Sequence, residues 1–217
     1  ADMRYDGRVE RTRDRPLVTG AVTRLEAVAL GVVIALVAFV LVLQLNALTI
    51  KLSFVAVAIA VTYPLLKRWF FLPQAYLGIA FAFGMPMAFA ACLDRLPPIV
   101  WVMMLANVFW AIAYDTEYAM VDRDDDLKIG IKTSAILFGR FDVLAVLLCY
   151  GIFFAMMGGI GARQGYGPFY FTGLLAGGIV AGFHLQWIKG RSREECFRAF
   201  RHNHWIGLAV FAGVVLD

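Results

Sequence analysis

The chain has 217 residues, of which 61% are hydrophobic and 17% charged, and its formal net charge is +4. Average soluble domains are roughly 45–50% apolar and 25% charged, so the apolar excess cannot be hidden in a soluble core and must face lipid. The small positive charge sits in short loops between apolar runs, not on one soluble face, which argues against a nucleic-acid partner.

The chain opens without a methionine on a charged segment, Ala1 to Arg15, which has no signal-peptide pattern and reads as the start of a fragment. Within it Asp2 and Asp6 stand at i, i+4 and lead into Gly7-Arg-Val-Glu-Arg-Thr-Arg-Asp-Arg-Pro16. A helix crosses the hydrocarbon core with about 20 apolar residues. Seven such runs follow, at 25–45, 48–66, 75–93, 98–119, 141–162, 168–188 and a short last one at 204–217. They are too long and too uniformly apolar for barrel strands. The expected fold is therefore all-α, a polytopic transmembrane helical bundle in one domain over 1–217. Pro64 and Pro86 should kink their helices, and the glycines at 173, 177, 178 and 182 offer small faces for close helix packing. Cys92, Cys149 and Cys196 have no metal or disulfide spacing.

The loops alternate in charge. Segments 1–24, 67–74, 119–140 and 189–203 carry 17 Lys and Arg, whereas the other loops carry only Lys51, Arg95 and Arg163. The positive-inside rule puts the first group in the cytoplasm. Trp69, Trp101, Trp187 and Trp205 fall near span ends, as an interfacial belt expects.

Three chemistry-bearing groups share that cytoplasmic side. The richest is Tyr114-Asp-Thr-Glu-Tyr-Ala-Met-Val-Asp-Arg-Asp-Asp-Asp-Leu-Lys-Ile-Gly-Ile-Lys132. If the fourth helix runs on past its span, Asp115, Asp122 and Asp126 lie within about 20° of one line. Three carboxylates on one stripe repel each other unless a cation sits between them. Mg²⁺ suits the arrangement, because it takes one or two carboxylates, keeps waters and shares its other positions with substrate phosphates. Asp124 and Asp125 point elsewhere and read as solvated. The second group is Asp2 with Asp6, and the third is Tyr63-Pro-Leu-Leu-Lys67-Arg68, where Tyr63 and Lys67 share a face. Carboxylates for metal, with Lys and Arg for phosphate oxygens, describe a site for a magnesium-bound diphosphate. His184, His202 and His204 read as ordinary packing or interfacial residues, Glu26 and Asp142 as topological, and Asp94 as solvated.

At these motifs the chain resembles the intramembrane aromatic prenyltransferases of the UbiA superfamily. Asp2 to Leu17 looks like the second half of that family's first motif, Asn-Asp-x-x-Asp-x-x-x-Asp, with its basic tail. Tyr63 to Lys67 matches Tyr-x-x-x-Lys, and Tyr114 to Gly139 looks like the second motif of the hydroxybenzoate branch. The resemblance implies nine spanning helices around a cavity, with Mg²⁺ bridging the two acidic motifs in a bacterial inner membrane. It implies transfer of a polyprenyl chain from polyprenyl diphosphate to 4-hydroxybenzoate, in ubiquinone biosynthesis. Carried over residue by residue, Asp2, Asp6, Asp122 and Asp126 would hold the metal. Asp6, Asp122, Asp126, Lys67 and Arg68 would be catalytic, and Tyr63, Lys67, Arg68, Asp115 and Lys132 would bind substrate. The motif's leading Asn and Asp, and roughly two helices before them, have no counterpart in the sequence, so the chain alone is expected to be an incomplete enzyme. The alternatives are a prenyltransferase with another aromatic or haem acceptor and, in a different class, a membrane transporter.

Overall fold

A computed structural model of the chain describes residues 6, 7, 9–66 and 69–217. Among these residues the secondary structure is helical, with no strand. The elements are α1 (Pro16–Thr19), α2 (Arg24–Val42), α3 (Ala47–Leu66), α4 (Pro73–Ala82), α5 (Gly84–Leu93), α6 (Pro98–Ile129), α7 (Ser134–Phe138), α8 (Asp142–Gln164), α9 (Pro168–Ile188), α10 (Arg193–His202) and α11 (His204–Leu216).

Among the described residues six segments are long and apolar enough to cross a membrane, with α4 and α5 together forming one of them. The seventh expected span is present as α11, but its 13 residues fall short of a full crossing. The break between α4 and α5 falls at Phe83, three residues before Pro86. A proline ring clashes with the carbonyl four residues back and lacks the N–H that would bond to it, which is where the ladder stops. Pro64, by contrast, lies inside the last turn of α3 and does not divide it.

Burial increases toward α6. Helix α2 buries none of its residues, and its large apolar side chains, Leu25 and Val28 among them, are exposed as lipid-facing residues are. Helix α6 buries fourteen of its 32 residues and packs against α4, α8 and α10. The α9–α11 contact depends on glycine. A Cβ at Gly173 would sit 2.5 Å from the Ala209 carbonyl oxygen and 2.8 Å from the Gly213 Cα. Gly177 packs against the Phe154 ring, whereas Gly178 and Gly182 face open space. Only the 173/177 face of the expected small-residue stripe is therefore used for packing.

One element contradicts the loop expected over 189–203. Residues Arg193–His202 form an amphipathic helix, capped where the Ser192 side chain accepts from the Glu195 N–H at 3.3 Å. It lays Cys196 and Ala199 against the bundle. Burial pushes the Cys196 thiol up to about 12, with nearby carboxylates adding to the shift.

Candidate active site

The acidic end of α6 is built by its termination. Gly130 adopts a left-handed φ of 73° and donates its N–H to the Asp126 carbonyl, and the Ile131 N–H reaches the same oxygen at 3.1 Å. Glycine meets that conformation at no steric cost, so the chain reverses immediately after the last carboxylate. Thr133 then caps α7, accepting from the Ile136 N–H. The returning strand of chain is pinned from two sides. The Ser134 N–H donates to Gln74 Oε1 at 3.0 Å, and the Thr116 hydroxyl donates to Ser134 Oγ at 2.7 Å. This brings Lys132 back alongside α6, where its ammonium donates to the Trp69 carbonyl at 3.3 Å and lies 3.8 Å from the centre of the Phe71 ring.

A pocket of about 130 Å³ lies against that end of the helix. Its walls carry four carboxylates, Asp6, Asp115, Asp122 and Asp126, and three cations, Arg11, Arg15 and Lys132, together with Tyr63, Tyr118 and Gln74. The predicted stripe is thus real, and residues from four separate stretches of the chain meet there. The cations balance the acids in pairs. Arg11 grips Asp122 with Nη2 at 2.6 Å and Nε at 3.2 Å from Oδ2, and lies 4.4 Å above the Tyr118 ring. Arg15 donates to Asp6 Oδ2 at 3.0 Å, and the Thr12 hydroxyl holds the Asp6 carbonyl at 2.8 Å. Burial alone would lower the Arg11 pKa, but the hydrogen bond and charge of Asp122 outweigh it and leave it raised.

Asp2, Lys67 and Arg68 lie outside the described residues. Of the other expected site residues, Asp6, Tyr63, Asp115, Asp122, Asp126 and Lys132 all line the pocket. Two expectations about carboxylates are corrected. Asp124 is exposed, as read, but Asp125 is buried and accepts from Arg193 at 3.1 Å and Lys128 at 3.3 Å. Asp142 is fully buried and gripped by Arg191 at 2.7 Å, so it locks the start of α8 to the turn before α10. Arg11, Arg15, Gln74 and Tyr118 had no assigned role. Tyr118 was findable, because it follows Asp115 by three residues and precedes Asp122 by four, on the same helix face. Arg11 and Arg15 stood in the quoted basic tail, but nothing local says which acid each meets.

Among the described residues no group of three His, Cys, Asp or Glu side chains is arranged to hold a metal by itself. The donors nonetheless suit a hard cation. All are carboxylate oxygens around one small pocket, with guanidinium and ammonium groups beside them for phosphate oxygens. Mg²⁺ bound by few protein ligands and completed by a diphosphate has this requirement, whereas an all-protein cage does not.

Residues 1–207 match the UbiA prenyltransferase family. The chain is 59% identical over its full length to a 4-hydroxybenzoate octaprenyltransferase of Azoarcus sp. (strain BH72), covering 76% of that protein. It is also 59% identical over 216 residues to the protein of the same name in Cupriavidus necator, again covering 76% of the relative. In three dimensions it resembles the apo structure of a UbiA homolog from Aeropyrum pernix K1, with a TM-score of 0.85 and 27% identity, covering all of this chain and 81% of that one. A digeranylgeranylglyceryl phosphate synthase shares the fold, with a TM-score of 0.69 at 15% identity over 99% of this chain and 76% of its own. The acidic stripe, the helical bundle and these likenesses agree, and the chain belongs to the UbiA prenyltransferase family.

Proposed function

We propose that this protein transfers a polyprenyl group from polyprenyl diphosphate to the ring of 4-hydroxybenzoate, a step of ubiquinone biosynthesis, in the bacterial inner membrane. The observation that carries the reading is the meeting of Asp6, Asp115, Asp122 and Asp126 with Arg11, Arg15 and Lys132 around one pocket at the end of a membrane-crossing helix. High identity to proteins named for this reaction supports the choice of acceptor. The basic loops on the same side support a site that opens to the cytoplasm.

Asp6, Asp122 and Asp126, with Asp2, are the residues that would hold Mg²⁺. The bound ion would neutralise the diphosphate and make it a better leaving group. Lys132 and Tyr63, with Lys67 and Arg68, bind the diphosphate oxygens. Asp115 sits at the deep end of the stripe, where diphosphate meets prenyl chain. Cations fixed in advance around the leaving group stabilise the charge that develops as the allylic C–O bond breaks. The rings of Tyr63 and Tyr118 line the pocket beside the position proposed for the allylic cation. They also displace water, which would otherwise capture it. The ring carbon ortho to the phenol then attacks the allylic cation, and its proton passes to the released diphosphate or a pocket carboxylate, which restores the aromatic ring. The polyprenyl tail lies in the bilayer beside the bundle, since a pocket of about 130 Å³ cannot enclose it.

The test is an assay of the native protein in membranes, supplied with polyprenyl diphosphate and labelled 4-hydroxybenzoate, with and without Mg²⁺. Magnesium-dependent formation of prenylated hydroxybenzoate is expected. Its absence, with transfer to homogentisate or naphthoate instead, would assign another acceptor. Absence of any transfer would remove the reading altogether.

A further inference from the structure

Behind the acidic stripe, on the opposite face of α6, sits a polar cluster that the transfer reaction does not touch. Glu117 is about 160° around the helix from the line through Asp115, Asp122 and Asp126, and it is fully buried. Its Oε1 lies 2.9 Å from the Tyr150 hydroxyl of α8, and its Oε2 accepts from Asn203 Nδ2 at 2.7 Å. Asn203 joins α10 to α11. Tyr150 is also 3.3 Å from Nδ1 of the fully buried His184 of α9, whose Nε2 lies 3.1 Å from His202 Nδ1. One side chain of α6 thus reaches, directly or through one neighbour, every helix packed on that face.

The donors and acceptors of this cluster can be counted. The Trp110 indole N–H only donates, and it points at Asn203 Oδ1 from 3.1 Å. That fixes which way the Asn203 amide faces. Both protons of Asn203 Nδ2 are then used, on Glu117 Oε2 and on the Ala199 carbonyl at 3.2 Å. The Tyr150 hydroxyl has one proton but two oxygen neighbours, Glu117 Oε1 at 2.9 Å and Asn203 Oδ1 at 3.0 Å. Asn203 Oδ1 can only accept, so Tyr150 donates there, and the contact with Glu117 needs a proton from the Glu117 side. The cluster therefore asks position 117 for one donor and one acceptor. A neutral carboxyl supplies both, and a glutamine in the same rotamer supplies the same pair.

We propose that Glu117 is a positioning residue for the transfer reaction, clamping α6 to α8, α9 and the α10–α11 junction so that Asp115, Asp122 and Asp126 face the pocket at a fixed rotation. A site of this kind tolerates errors of only about 0.5 Å or 10–20°. The inference rests on the functional reading above.

The experiment measures kcat and both apparent KM values of the native protein and four variants, each first isolated as folded, monodisperse protein. Glu117→Gln should match wild type, since it reproduces the donor–acceptor pair. Glu117→Leu should raise the KM for the magnesium diphosphate substrate by about tenfold, the lower range for loss of a group that orients ligands, with less effect on the KM for the aromatic acid. Tyr150→Phe, which deletes one oxygen, should shift the same KM in the same direction and decides the matter if Glu117→Leu does not accumulate. Gly173→Ala, at the distant α9–α11 contact, should reduce the amount of folded protein and leave both KM values alone. Folded Glu117→Gln as impaired as Glu117→Leu would overturn the proposal. So would an unchanged diphosphate KM in both Glu117→Leu and Tyr150→Phe. An inactive native protein would instead strike down the functional reading, so the two failures are distinct.

Discussion

Replacing Asp122 by asparagine separates the charge of this residue from its shape. In the structure Asp122 is buried under Arg11, with side-chain exposures of 9% and 28%, and the guanidinium contacts both carboxylate oxygens. Asparagine keeps one accepting oxygen for Arg11, so one charge-assisted hydrogen bond survives. The folding cost should be about 1–2 kcal/mol, roughly one such bond. The effect on the reaction is larger, because a carboxylate that would hold the neutralising Mg²⁺ beside the departing diphosphate would lose its charge. Loss of one preorganised electrostatic partner typically lowers kcat by about 10²–10³-fold, or ~3–4 kcal/mol. Asp126→Asn should behave alike, since Asp126 lines the same pocket one turn further on. Asp124→Ala is the control: its side chain is exposed on another face, and activity should stay within about twofold, as for other surface substitutions. The assay is prenylation of labelled 4-hydroxybenzoate by the native protein at saturating Mg²⁺, normalised to folded protein. Retention of more than about a third of wild-type activity by both asparagine variants would refute the electrostatic argument for this stripe.

Lys132→Ala should raise the apparent KM for polyprenyl diphosphate several-fold and leave that for 4-hydroxybenzoate near wild type; a KM change confined to the aromatic acid would contradict its assignment to the diphosphate. Gly173→Ala should lower thermal stability in detergent by about 1–3 kcal/mol through overpacking, while Gly178→Ala, where a Cβ meets nothing within 4 Å, should not. Equal stability of the two would mean that the α9–α11 contact yields more readily than its backbone distances imply. Single cysteines at exposed positions 124 and 189 should resist an impermeant thiol reagent added outside intact cells, whereas cysteines at 94 and 164 should react. Strong outside labelling at 124 would invert the topology and move the site with it. Removing Mg²⁺ with a chelator should stop transfer and leave the helical content unchanged, because the carboxylates of the pocket already have cationic partners in Arg11 and Arg15.

The features that a sequence makes legible are those with short reach. The spans follow from runs of apolar residues, and the stripe of Asp115, Asp122 and Asp126 follows from helical period alone. Helix α10 was hidden because Arg193–His202 is rich in charge and reads as a loop. Its capping residue, Ser192, three positions before Glu195, was a usable start signal. Asp125 and Asp142 were misread for a different reason. Their partners Arg193 and Arg191 lie 68 and 49 residues away, and no local pattern says that a charge will be matched across such a separation. The same limit hid Glu117, whose neighbours come from positions 150, 184 and 203. By sequence alone Glu117 is one more acid in an acidic run, and only the packing separates it from the stripe.

The length of α6 bears on how the protein meets its lipid substrate. Its 32 residues make a rod of about 48 Å, against a hydrocarbon layer of about 30 Å. The apolar start at Pro98 sets the helix into that layer, so the surplus of some 18 Å emerges at the other end and carries Asp122 and Asp126 to the height of the phospholipid phosphates. A diphosphate on a long isoprenoid tail floats at that same height by its own amphiphilicity. The substrate can therefore arrive by sliding sideways within the leaflet, with its tail never leaving the oil. The search is two-dimensional, and the concentration that governs turnover is the mole fraction of the isoprenoid among the surrounding lipids, not its amount per litre of water.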